Sequence, residues 1–313
     1  MTGTLRTIAF TAALLAVAAP LSAQHRGRRG RSGDDRTNKI DTTVSVSRTA
    51  TVDLSLLSGE IKVTSWDKNE VRIIATSEDG DLRFEASSSR VSLSIDEDNG
   101  DDGDTEYQVT VPKGARVIGS SISGNVSVRG VGEVEATSVS GDVTVSAIAG
   151  SATIKTVSGG LSGSEIGGGL QAQNVSGDVE IVGVTGDVQV QTVSGELKLR
   201  GVKSSYVRTE TVSGDLEFDG AVEPNGRYIF HSHSGSFRIN LPRGAGATIS
   251  YHSFSGDINS SCAMMMGRSK GSAGMTYKDN VFTIGNGGAR FTIETFSGDV
   301  EITGCGNAKP KED

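Results

Sequence analysis

Proline is scarce in this sequence: five among 313 residues, with one tryptophan, 5% aromatics in all and two cysteines. Beyond residue 23 no window carries an apolar period of 3.6, which excludes a helical domain, and no apolar run is long enough to span a bilayer. Basic residues are not in excess: 30 Lys and Arg stand against 38 Asp and Glu. That balance argues against nucleic acid as a partner. A Ser-His-Asp motif context and a glycine-rich phosphate loop are both missing. What the chain has instead is glycine, 42 residues of it, with many Val, Thr and Ser. This is the composition of strands joined by tight turns.

Residues 1–23 read as a secretory signal, with Arg6 as the positive region, Ile8 to Ala19 as the apolar stretch and cleavage before Gln24. No cysteine follows the cleavage site, so lipidation there is unsupported. Removing Arg6 takes the net charge from −8 to −9. Residues 24–39 form a basic arm (Arg26, Arg28, Arg29, Arg31, Arg36 and Lys39 against Asp34 and Asp35), which leaves about −13 on the rest. Such an arm serves either as a contact to anionic lipid or polysaccharide or as a flexible spacer.

The chain is organised by a repeated pentapeptide. Val139-Ser140-Gly141-Asp142-Val143 returns around Gly177-Asp178, Gly195-Glu196, Gly214-Asp215, Gly256-Asp257 and Gly298-Asp299, with weaker copies at Gly124, Gly159 and Gly235. Steps between these glycines are 17, 18, 18, 18, 19, 21, 21 and 42, the last being two coils of 21. A fixed period near 20 is the mark of stacked coils.

Aligned on the glycine, the columns assign roles. Seven before it stand Val134, Ala152, Leu170, Val188, Val207, Tyr228, Ile249 and Phe291. Five before it stand Ala136, Ile154, Ala172, Val190, Thr209, Phe230, Tyr251 and Ile293. Two apart and mostly apolar, these columns share the inner face of a strand. The two-before column (Val139, Val157, Val175, Val193, Val212, His233, Phe254, Phe296) is apolar as well and reads as inward, which requires a corner after the five-before position. Inward residues resume at the second and fourth places after the glycine, as in Val179 and Ile181. Glu180, Lys198, Glu217 and Arg238 at the third place form an outward ladder of alternating charge, each pair contributing a few tenths of a kcal/mol. Glycine serves a turn of positive φ, and the aspartate caps its own turn. The pattern predicts an all-β fold, a single-stranded parallel β-helix (β-solenoid) with coils of about 18–21 residues.

In its motifs the chain resembles the exported bacterial "putative adhesin" family, a domain of unknown function expected to be β-helical. The residues that carry the likeness are Ser58-Gly59-Glu60-Ile61-Lys62-Val63, then Trp66-Asp67 and Glu70-Val71-Arg72-Ile73. Tyr107 to Pro112 and the serial Val-Ser-Gly-Asp-Val units follow, so that the similarity covers roughly residues 40–303. The resemblance implies fold and cell-envelope location, and it brings no catalytic residues and no cofactor.

Candidate sites are few. Gly141, Asp142, Gly177, Asp178, Gly214, Asp215, Gly256, Asp257, Gly298 and Asp299 are structural turn residues, and the aspartate column reads alternatively as an acidic ladder for Ca²⁺. The loop Asp96–Asp104 lacks the spacing of a calcium-binding loop. His231 and His252, each four before its glycine, are expected to stack on adjacent coils. With His233 they are either a transition-metal site or a surface ladder. Cys262 and Cys305, six and seven places after Gly256 and Gly298, fall within disulfide reach on neighbouring coils. Met264 to Met275 interrupts a coil and reads as a partner-contacting loop or a degenerate coil, with Val281 to Ile284 supplying the missing strand.

The expected organisation is a signal peptide (1–23), a basic arm (24–39), a β-helix domain (40–308) with an irregular N-terminal cap over 40–118 and regular coils over 119–308, and a tail (309–313). The expected role is non-enzymatic. It is that of an adhesin-like scaffold exported to the periplasm, cell surface or medium, whose partner is an envelope protein or glycan. The alternative is a β-helix enzyme acting on an acidic polysaccharide.

Overall fold

The structure, a computed structural model, describes residues 39–78, 80–95, 104–266 and 278–304. The signal segment, the arm up to residue 38, the acidic loop over 96–103, residues 267–277 of the methionine segment, Cys305 and the tail lie outside the described residues.

Among the described residues every regular element is a strand, and hydrogen bonds join them into one mixed sheet. Its middle is parallel and follows the repeat. Val134 pairs in register with Ala152, Ala152 with Leu170, Leu170 with Val188, Val188 with Val207 and Val207 with Tyr228. A second row runs from Val126 through Val143, Leu161, Val179 and Leu197 to Leu216 and Phe237. Each coil buries its inner face only against its neighbours, which is why one strand-forming unit had to be repeated.

The ends depart from the parallel expectation. Thr51–Trp66 joins the stack as a rung, parallel to Arg116–Arg129 on one side and to Thr105–Pro112 on the other. Next to it Thr105–Pro112 pairs antiparallel with Glu70–Ser77, which pairs antiparallel with Lys39–Ser45. At the other end Ala247–Ser255 is not stacked on the Tyr228 coil. Ala289–Ser297 lies between them, parallel to both. Val281 to Ile284, expected to supply the missing coil strand, belongs instead to Lys278–Ile284, which runs antiparallel along the outer edge of Ala247–Ser255, and Met264–Met266 pairs antiparallel with it. The reason is geometric: a parallel stack ends in unpaired N–H and C=O groups, and a chain that folds back antiparallel covers them without a crossover.

The core confirms the seven-before and five-before columns, all of whose members are buried. Where the repeats lengthen to 21 residues, aromatics fill the core. Phe218 packs edge-on to Tyr228 at 5.6 Å, and Tyr228 stacks on Phe291 at 4.5 Å. Each such side chain contributes roughly 1.5–3 kcal/mol by leaving water. The buried Tyr228 hydroxyl donates to the Ser204 carbonyl (3.0 Å) and accepts from the Glu223 N–H (2.8 Å). Burial pushes its pKa up.

One column is reversed. Three before the glycine, Ser138, Thr156, Asn174, Thr192, Thr211, Ser232, Ser253 and Thr295 are all buried, while the two-before side chains point outward. Alternation therefore runs unbroken through the strand, and the corner falls at Ser-Gly-Asp. From Ser138 to Thr192 the small polar side chains donate to turn carbonyls, whereas the buried hydroxyls of Thr211, Ser232, Ser253 and Thr295 have no hydrogen-bond partner among the described residues. Ser138 Oγ donates to Gly124 O (3.0 Å), and Asn174 Nδ2 to Gly177 O (2.8 Å).

Candidate functional site

Turning the two-before column outward leaves an apolar stripe on the surface. Its rungs are Leu57, Ile122, Val139, Val157, Val175, Val193, Val212, His233, Phe296 and Phe254 in spatial order. The registers of the residues on either side fix that order. At a strand spacing of about 4.8 Å, ten rungs extend roughly 43 Å. Ile122 is 50% exposed, Val193 42%, Phe296 43% and Phe254 44%. At one end the rings stack, Phe254 on Phe296 at 4.8 Å and His233 on Phe296 at 5.1 Å. Strict parity counting from the two inner columns would have found this stripe in the sequence. The apolarity of valine and phenylalanine drew the opposite assignment.

Beside the stripe runs a polar column four before the glycine. Gln173 donates to Gln191 (3.1 Å), which donates to Glu210 (2.9 Å). In register, Glu210 is followed by His231, then Glu294, then His252. The expected adjacency of His231 and His252 is therefore overturned by the inserted strand: His231 Nε2 lies 3.4 Å from Glu294 Oε2. His231 and His252 belong to strands two spacings apart, ~9.6 Å. His233 belongs to the stripe. The three histidines do not converge, and among the described residues no three His, Cys, Asp or Glu are placed to hold a metal ion.

The aspartate column is structural in a different way from that expected. Four of the five carboxylates cap the turn of the adjacent coil: Asp142 Oδ1 accepts from the Gly160 N–H (2.7 Å), Asp178 from Glu196 (2.9 Å), Asp215 from Ser236 (2.8 Å) and Asp299 from Asp257 (2.9 Å). Asp215→Ala should therefore lower stability by about 1 kcal/mol and Asp215→Asn by less, since the amide oxygen still accepts. A urea titration in which Asp215→Ala keeps the parent midpoint would refute the cap.

A second set of charges lies beyond the corner from the stripe. Glu180, Lys198, Glu217 and Arg238 stack in register, but of their ion pairs among the described residues Arg238–Glu301 alone joins direct register neighbours. Lys198 Nζ bonds Glu196 (2.6 Å), which holds its ammonium above its ordinary pKa. Arg200 reaches both Glu180 (3.3 Å) and Glu217 (3.4 Å), and Arg238 reaches Glu301 (3.2 Å).

Cys262 is buried at 8% exposure and is disulfide-bonded. Its coil lies against the one that leads to Cys305: Ser260 pairs with Ile302, and the Ser261 N–H donates to Ile302 O (3.0 Å). Cys305 itself is outside the described residues.

The family described as Toastrack DUF4097 matches residues 102–303, more than half of the chain. The chain belongs to this family. The Toastrack DUF4097 match spans the serial repeats. It leaves out Gly59 to Ile73, part of the stretch on which the resemblance to an adhesin-like family of unknown function rests. No curated protein matches the chain. Among solved structures, the chain is similar to a "putative cell adhesion protein" from Clostridium sporogenes (11% identity, 85% of this chain and 99% of that one, TM-score 0.20). It is also similar to a "putative adhesin" from Bacteroides fragilis (11% identity, 85% and 97%, TM-score 0.39). TM-scores this low carry no argument about this member of the Toastrack DUF4097 family.

Proposed function

We propose that this chain is an exported, non-enzymatic β-solenoid of the cell envelope, an adhesin-like scaffold that uses one long surface to bind. The observation that carries the reading is the apolar stripe. A contiguous exposed apolar surface of this length marks a contact face on a soluble protein. The parallel registers at the repeat period support the solenoid, and residues 1–23 support export. Carboxylates recur with the coils; Glu196, Asp215, Glu217, Asp299 and Glu301 line one open groove, but they belong to the turn column and its outward ladder, which favours binding over catalysis.

Cell fractionation of the tagged chain tests the reading. It should appear in the periplasm or envelope with its N-terminus at Gln24, and a Val175→Asp/Val193→Asp variant should be retained less by the envelope. An uncleaved chain in the cytoplasm would refute export, and equal retention of the variant would refute the stripe as the contact face. Incubated with acidic polysaccharides, the chain should leave them uncut.

A further inference from the structure

What covers the stripe is constrained by three features of its surroundings. First, the stripe and the column of serines on one side of it (Ser123, Ser140, Ser158, Ser176, Ser194, Ser213 and their equivalents) hold no lysine, arginine or carboxylate, and the polar column on its other side holds Lys155, Glu210 and Glu294 over ten rungs. A strongly charged partner would instead find its counter-charges beyond the corner, on the columns of Asp178, Glu196 and Glu217. Second, the ring faces at the aromatic end are turned on one another, with Phe254 and Phe296 only 4° from parallel and His233 and Phe296 11°. Phe296 is covered on both faces and Phe254 and His233 on one face each, which leaves little flat ring surface for a sugar to stack on. Third, the rungs recur at the strand spacing over the whole length. A partner that fills every gap between rungs must carry apolar side chains at the same pitch, and a second stack of the same coils does so.

We propose that the stripe joins two copies of this chain side by side. The proposal rests on the reading of the stripe as a contact face and names its partner. The chain carries a net charge of −8, so two copies repel wherever their carboxylate columns face each other. Along the stripe they meet on an uncharged column, flanked on one side by serines and on the other by Lys155, Glu210 and Glu294. A two-fold arrangement uses the same stripe on both copies and closes on itself. Whether the two stacks run in the same or opposite directions, Val175 and Val193 fall near the middle of the contact, where truncation and charge cost most.

Sedimentation velocity on the chain from Gln24 onward tests this. The dimer should form with a dissociation constant at or below about 10 µM, and Val193→Asp should weaken it at least ~100-fold, equivalent to about 2.7 kcal/mol. Thr144→Asp, an outward position beyond the corner, should leave the dimer intact, and circular dichroism should show both variants folded. A parent chain that stays monomeric to about 100 µM overturns the proposal, as does a Val193→Asp dimer of undiminished affinity. If the parent is monomeric while Val175→Asp/Val193→Asp still loses envelope retention, self-association fails and the contact-face reading survives. If retention is also unchanged, both fail.

Discussion

Gly177→Ala should destabilise the chain by about 3–5 kcal/mol, from a backbone cost of roughly 1–3 kcal/mol and an overpacking cost of similar size. Gly177 sits at the Ser-Gly-Asp corner with φ +129°, and a Cβ there would stand 2.3 Å from the Gly159 carbonyl oxygen. That contact is with backbone, so no side chain can swing aside. Relief requires the coil to lift from its neighbour, which breaks the bond from the Gly159 N–H to Ser176 O (3.1 Å). The loss is a large share of the roughly 5–15 kcal/mol that holds a typical domain together. Gly244→Ala is the internal control: its φ is +77°, but nothing lies within 4 Å of the place its methyl group would take. It should cost only about 1 kcal/mol, the conformational part alone. Urea unfolding of the two variants separates the effects, and equal midpoints would show that the corner does not need close backbone approach.

The same corner explains how much of the fold was legible in the sequence. The glycine period, the seven-before and five-before columns and the apolar positions after the glycine are local patterns set by backbone geometry and burial, and they read correctly. The inner polar column did not. Ser138 or Asn174 looks like a surface residue until the turn carbonyls that need its donor are in view, and those belong partly to the neighbouring coil. The caps failed for the same reason: Asp142 serves Gly160, a turn one coil away. Spatial order at the C-terminal end was illegible for a stronger reason. Phe291, Ile293 and Thr295 offer the same inner sequence of large, large and small polar as Ile249, Tyr251 and Ser253, so either coil fits on Tyr228, Phe230 and Ser232. Packing and charge favour the inserted order: Phe291 stacks on Tyr228 at 4.5 Å, and Glu294 separates two histidines that would otherwise stand one above the other.

Reduction, or Cys262→Ser, should release that inserted coil at a cost of about 2–5 kcal/mol. Cys262 is disulfide-bonded, and the other cysteine of the chain, Cys305, stands 43 positions later, just beyond the inserted strands. We propose that the bridge is Cys262–Cys305. It would then close a loop containing the outer antiparallel strands and Ala289–Ser297, tying the inserted coil to the coil it displaces. A loop of this length removes roughly 4 kcal/mol of chain entropy from the unfolded state. The inserted strands are also the only link between the Tyr228 coil and the Ala247–Ser255 coil among the described pairings, so their loss frees the whole end and not one strand. Hydrogen exchange should therefore accelerate together over 247–260 and 289–303 on reduction, while the coils from 134 to 218 keep their protection. Non-reducing peptide mapping should recover one species containing both cysteines. Two separately alkylated peptides would remove the bridge, and uniform loss of protection along the stack would show that the end is not an independent unit.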